Sequence, residues 1–205
     1  MQISEIRQTS SERYTIVFED ESELRSTLKV ITDHRIYSGM DLDDDDYARL
    51  VDDSSYSLCE AHAVKLLSYQ PLSKKGLEKK LIQKGRDPEH AARAVEWAEE
   101  MGLINDEAYS EMVVRHYAAK GYGAKRIESE LYRHGVPKEL WEDALRELPC
   151  QDDKMDSFIR SRLSDPSDSK QVKRVTDGLF RRGYSWSDIK NALERFRESY
   201  EEEDY

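Results

Sequence analysis

Leu77, Leu81, Gly85, Ala94 and Val95 are answered 50 residues later by Ile127, Leu131, Gly135, Ala144 and Leu145. They are answered again, 48 residues further on, by Val175, Leu179, Gly183, Ala192 and Leu193. All fifteen positions keep an aliphatic, Gly or Ala character. A period of this length is that of a small helical unit, and such units are stable as stacked tandem copies. Each copy is expected to be too small to bury its own apolar faces, so neighbours should be needed to cover them.

Within a copy the apolar spacing predicts three amphipathic helices. Helix one has its stripe at Leu58, Cys59, His62, Ala63, Leu66 and Leu67 in copy one. In copy two the stripe is Ala108, Tyr109, Met112, Val113, His116 and Tyr117, and in copy three Met155, Phe158, Ile159 and Leu163. The shift between the last two is 46 rather than 48, which places two extra residues in the loop SDPSDS at 164–169. Helix two carries the Leu77/Leu81 pair and its equivalents. Helix three carries Ala91, Ala94, Val95 and Ala98, then Leu140, Trp141, Ala144, Leu145 and Leu148, then Ile189, Ala192, Leu193 and Phe196. Gly85, Gly135 and Gly183 follow helix two, where a left-handed residue ends a helix at least cost when it is glycine. Pro88 and Pro137 then suit the first turn of helix three.

The segment before the repeats reads differently. ISEIRQ and RYTIVF alternate like strands around SSE, ELRSTLKV is a third candidate, and DLDDDDYARLV resembles a short helix with an acidic first turn. The expected fold is therefore mainly α: three tandem three-helix repeats in a curved elongated array behind a small β-hairpin and short-helix segment. The expected divisions are 1–53, 54–105, 106–149, 150–199 and an acidic tail, 200–205.

Charge has to be located before it is interpreted. The net −11 divides into −8 over residues 1–57, +1 over 58–198 and −4 in SYEEEDY. A near-neutral middle leaves room for a basic face. No run of about 18 apolar residues is present to cross a membrane, and no basic-then-apolar leader opens the chain. Cys59 and Cys150 make no CxxC pair and fit a reducing, cytoplasmic setting.

Catalytic and metal motifs are absent. The five histidines form no HExxH, and an EF-hand reading of Asp41, Asp43, Asp45 and Asp52 fails because Asp46 stands where glycine is needed. GYG at 121–123 follows no strand and belongs to no GxxxxGK[ST], so it reads as the hinge between helices one and two. His62 and His116 occupy equivalent stripe positions and are expected to pack. Trp97 and Trp141 are expected to pack as well, with Trp186 partly exposed. No catalytic residue, metal or cofactor is expected.

The basic residues carry more information. Lys75, Lys125 and Lys173 fall at one repeat position, expected in the first turn of helix two, with Arg126 and Arg174 beside the latter two. A cation there opposes the helix dipole, so folding alone does not ask for it. One reading pairs the lysines at i,i+3 with Glu78 and Glu128; the other makes them a binding face. Around the hinge, Arg115, Lys120, Tyr122, Lys125 and Arg126 form a basic stretch centred on an aromatic ring. These charges are expected to be exposed and to contribute little to stability.

GMDLDDDDYARL (39–50), AVKLLSYQPLSKKGLEKKLIQKG (63–85), MGLINDEAYSEMVVRHYAAKGYGAKRIESELYRHGV (101–136) and VTDGLFRRGYSWSDIKNAL (175–193) resemble the bacterial RecX family of recombination regulators. The likeness spans about residues 1–198, departing from the family at the acidic residues 41–46 and 200–204 and at SDPSDS. The resemblance implies a non-catalytic monomer that binds RecA in its filament on single-stranded DNA. It would modulate strand exchange, ATP hydrolysis and coprotease activity, mostly by inhibition, with a weak direct DNA contact as an additional expectation. The candidate contact residues are Lys75, Arg115, Lys120, Tyr122, Lys125, Arg126, Lys173 and Arg174. A helical-repeat DNA-binding regulator, using helix two in a groove, and a generic protein-binding scaffold are the alternatives.

Overall fold

The computed structural model describes residues 1–203, so the last two residues of the expected tail lie outside it. The chain forms two compact units, one covering Met1–Ile104 and the other beginning at Asn105.

The first unit opens with an antiparallel meander, β1 (Ile3–Gln8), β2 (Arg13–Phe18) and β3 (Glu23–Thr27), in the order β1-β2-β3. The third strand stops earlier than its alternation suggests. Thr27 accepts a hydrogen bond from the Val30 backbone N–H and starts α1 (Leu28–Asp33) in place of further strand. Ile3, Ile16, Phe18, Val30, Ile36, Leu42 and Leu50 form the core beneath the sheet.

The next helix differs from expectation. The short acidic helix and the first helix of repeat one are a single element, α2 (Asp44–Tyr69), which runs through the expected boundary at 53/54. Asp43 caps it through Asp46 N–H, and Asp44, Asp45 and Asp46 occupy its first turn, where the dipole favours them. Leu50 joins the sheet core, whereas Cys59 and Ala63 join the core of repeat one. Between these, Ser54 and Ser57 bond the β3 hydroxyls of Ser26 and Thr27 at 2.9 and 2.7 Å, all four buried. Small hydroxyl residues let helix and strand approach closely while satisfying each other's polar atoms.

Repeat one continues with α3 (Lys74–Gln83) and α4 (Pro88–Glu100). Repeat two is α5 (Asp106–Ala119), α6 (Ala124–Arg133), and a 3-10 turn (Lys138–Leu140) leading into α7 (Trp141–Arg146). Repeat three is α8 (Asp152–Arg160), α9 (Ser169–Arg181) and α10 (Trp186–Glu203). Helix α10 runs into the acidic tail that was expected to be separate from repeat three.

Each repeat holds its own buried cluster. Leu77 and Leu81, Ile127 and Leu131, and Val175 and Leu179 lie at the centres of three separate cores. The expectation that a copy leaves its apolar face for a neighbour is therefore corrected: the clusters close within single repeats. Gly85, Gly135 and Gly183 all have positive φ, at 79°, 74° and 87°. After each glycine the next backbone N–H returns to helix two, from Arg86 to Leu81, Val136 to Leu131 and Tyr184 to Leu179. That is the Schellman closure the glycines predict.

Two further expectations need correction. In α5 the buried side is Tyr109, Ser110, Val113, Val114 and Ala118, one residue round from the predicted stripe. Met112 and His116 are therefore exposed, and His116 only sets its edge against Tyr117, 5.1 Å away. In α9 the Asp168 carboxylate accepts from the Lys170 and Gln171 N–H groups and starts the helix at Ser169. Lys173 and Arg174 consequently sit beyond the first turn, and the dipole argument does not apply to them.

Candidate binding surface

Helix two needs an N-cap in every repeat, because its first backbone N–H groups have no partner within the helix. Repeat one supplies Ser73 and repeat three Asp168, each through its own side chain. Repeat two has Gly123, which has no side chain to offer. The acceptors come from repeat three instead. Gly123 N–H donates to the Arg182 carbonyl at 2.8 Å, and Lys125 N–H donates to the Gly183 carbonyl at 3.2 Å.

The approach is backbone against backbone. A Cβ on Gly123 would stand 2.6 Å from the Gly183 oxygen, and one on Gly183 would stand 2.3 Å from the Arg126 nitrogen. Tyr184 donates its hydroxyl proton to the Gly121 carbonyl at 3.1 Å, and Arg182 Nη1 donates to the same oxygen at 3.2 Å. Burial pushes the Tyr184 phenol pKa up, keeping this donor protonated. GYG lies between helices one and two, as expected, and it is also the clasp that holds repeat three.

The candidate residues divide around this clasp. Lys120 and Lys125 are exposed at the ends of α5 and α6, with Lys120 Nζ 5.1 Å from the Tyr117 ring centre. Arg126 is exposed and pairs with Glu130 at 2.9 Å. Glu130 is buried and is held from its other side by Arg133. Tyr122 is half-buried in the repeat-two core, with the guanidinium carbons of Arg126 and Arg182 each 5.8 Å from its ring centre. It is packed between two arginines rather than presented on a free surface. Arg115 is exposed and pairs with Glu111 along α5.

Lys173 and Arg174 are exposed on α9, at the other end of that helix from Arg182. Roughly 12 Å of helix axis separates them from the clasp. Lys75 is exposed on α3, in the first unit. Among the described residues, neither Lys75–Glu78 nor Lys125–Glu128 closes to ion-pair distance, and Arg126 uses Glu130 instead. Local pairing therefore does not account for the repeated lysine.

Arg182 was the residue missed. As a last-turn cation it reads as a dipole complement, yet its guanidinium also lies 4.7 Å from the Phe158 ring centre while bonding the hinge. The signal was available in the missing cap at Gly123, which requires an acceptor from elsewhere.

A polar network lies beneath the hinge. Tyr109 and Tyr117 hydroxyls meet the two ring nitrogens of His134 at 2.9 and 3.4 Å, and Arg133 donates to Tyr117 at 2.9 Å. Burial, then Arg133, lowers the His134 pKa; burial and Arg86 do the same for His62. A depressed folded pKa means the unfolded chain binds protons first as pH falls. These histidines thus favour the fold fully above the unfolded value of about 6.5, and that contribution is lost as pH drops below it. The melting temperature is expected to fall between about pH 7.5 and 5, with His134→Gln showing a shallower fall.

Among the described residues no group of three or more His, Cys, Asp or Glu side chains could hold a metal ion, and no helix is long and apolar enough to cross a membrane. What the surface offers is hydrogen-bond donors, cations and aromatic edges.

Comparison with known proteins gives a consistent result. Family models described as the first and second three-helix domains of RecX match residues 59–97 and 105–145. A regulatory protein RecX from Trichlorobacter lovleyi is 33% identical over 145 residues, covering 67% of this chain and 94% of that protein. A regulatory protein RecX from Caldanaerobacter subterraneus subsp. tengcongensis is 24% identical over 188 residues, covering 92% and 95%. A crystal structure of regulatory protein RecX shares the fold, with a TM-score of 0.72 at 23% identity over 92% of this chain and 97% of that one. The crystal structure of RecX from Lactobacillus salivarius gives 0.64 at 24% identity, over 69% and 96%.

Proposed function

The chain belongs to the RecX family of regulatory proteins, and on that footing we propose that it binds RecA in its filament on single-stranded DNA and lowers RecA activity without catalysing a reaction itself. Membership of the family is the observation that carries this reading. The exposed cations at the hinge support it, because a filament of protein on nucleic acid is a polyanionic partner. Lys75, Arg115, Lys120, Tyr122, Lys125, Arg126, Lys173 and Arg174 are the proposed contacts, with Lys120 and Lys125 exposed beside the clasp.

The test is RecA-driven ATP hydrolysis on single-stranded DNA, with strand exchange as a second readout. Substoichiometric protein is expected to slow both; unchanged rates at equimolar protein overturn the reading. Lys120→Ala with Lys125→Ala is expected to raise the half-inhibitory concentration about 3- to 10-fold, the scale of losing one or two interface anchors. The loss should shrink with added salt. Arg126 is left out of this pair. Its removal takes a partner from the buried Glu130 carboxylate, so Arg126→Ala also lowers stability.

A further inference from the structure

Helix two has an outward face that its own repeat does not use. Seven residues after the repeated lysine, each copy places a large apolar side chain in solvent. Ile82 follows Lys75 and is 40% exposed; Tyr132 follows Lys125 and is 76% exposed; Phe180 follows Lys173 and is 45% exposed. A spacing of seven puts lysine and apolar residue on one side of the helix, about 10 Å apart along its axis. Single exposed apolar residues are ordinary on protein surfaces. The same position exposed in three copies is a pattern that core packing does not produce, since each core is filled from the opposite side by Leu77 and Leu81 or their equivalents.

The charge of these helices points the same way. Helix α3 carries four cations and one anion, α6 three and two, and α9 four and one: a net +7 inside a chain of −11. An arginine follows the aromatic residue in two copies, Arg133 after Tyr132 and Arg181 after Phe180. Phe180 is extended by Trp186, whose ring lies parallel within 4° at 6.0 Å and is itself 59% exposed. Aromatic and arginine side chains together are the groups that anchor protein interfaces.

We infer that the outward face of helix two in each repeat docks onto an acidic protein surface, the lysine meeting carboxylates and the apolar residue seven positions on entering a pocket. The inference rests on the proposed function and assigns its protein contact to this face. A protein is favoured over bare nucleic acid because the repeated position keeps size and apolarity rather than a π-face. Ile82 cannot stack on a base, and Phe180 already stacks on Trp186.

The test uses the full chain labelled at the exposed Cys150 and titrated, by fluorescence anisotropy, with RecA-coated single-stranded DNA and with naked single-stranded DNA. The variant Ile82→Ser, Tyr132→Ser, Phe180→Ser keeps every charge. It is expected to bind the coated strand at least tenfold more weakly and the naked strand unchanged. Parallel loss on both strands makes the face a nucleic-acid contact and overturns the inference. Wild-type affinity for the coated strand also overturns it, while leaving the proposed function standing. Wild-type protein that does not bind the coated strand removes the proposed function and this inference with it. Should the triple variant melt early, Tyr132→Ser alone, at the most exposed of the three positions, decides by the same comparison with a threefold loss expected.

Discussion

Gly183→Ala lowers stability by about 2 kcal/mol more than Gly85→Ala does, although both glycines end helix two with similar positive φ. Alanine at Gly85 meets nothing within 4 Å, so its cost is the left-handed strain alone, about 1–2 kcal/mol. Alanine at Gly183 adds a methyl group 2.3 Å from the Arg126 backbone nitrogen, and the two chains must part. Gly123→Ala isolates the second effect: its φ of −81° suits any residue, and only the 2.6 Å approach to Gly183 resists it. A loss of about 1–3 kcal/mol is expected there. Parting the strands also leaves the first N–H groups of α6 without acceptors, so faster hydrogen exchange at Gly123 and Lys125 should accompany the lower melting temperature. Equal melting temperatures for the Gly85 and Gly183 variants would show that the clasp yields freely.

Leu131→Ala is the other large effect. The side chain is fully buried in the repeat-two core, and truncation there costs about 2–5 kcal/mol. Because the buried clusters close within single repeats, the damage should be local. Hydrogen exchange is expected to rise through α5, α6 and α7 and to stay unchanged in α3 and α4. Uniform acceleration across the whole chain would mean that the repeats unfold as one unit.

The repeat, its helices and its closing glycines were legible because each rests on local rules. Leu77 and Leu81 recur at helical spacing, Gly85 recurs where a helix must end, and Pro88 stands where a helix can begin, whereas Pro137 proved to be the N-cap of the 3-10 turn before α7. The Arg182 clasp was not legible in the same way, since residues about 60 positions apart make it, and its closest contacts run through backbone atoms that no side-chain pattern records. Its trace was an absence, glycine where the other repeats have a capping Ser or Asp. The stripe of α5 was misplaced by one residue because Ala108, Met112 and His116 look apolar enough to be buried, and only packing chose Val114 and Ala118. The start of α9 was missed because SDPSDS reads as loop until Asp168 is recognised as a cap. Of the candidate contacts, the chain alone identified the exposed lysines but could not show that Tyr122 packs between two arginines.

Helix α2 has a mechanical consequence. At 26 residues it is a rod of roughly 39 Å whose first half is seated in one core and whose second half is seated in another. No loop interrupts it, so the core beneath the sheet and the core of the first repeat are carried on one continuous helix. A force that tilts the meander is delivered as torque to Cys59 and Ala63, stiffly and without slack. A displacement of either core is thus carried to the other along a single helix.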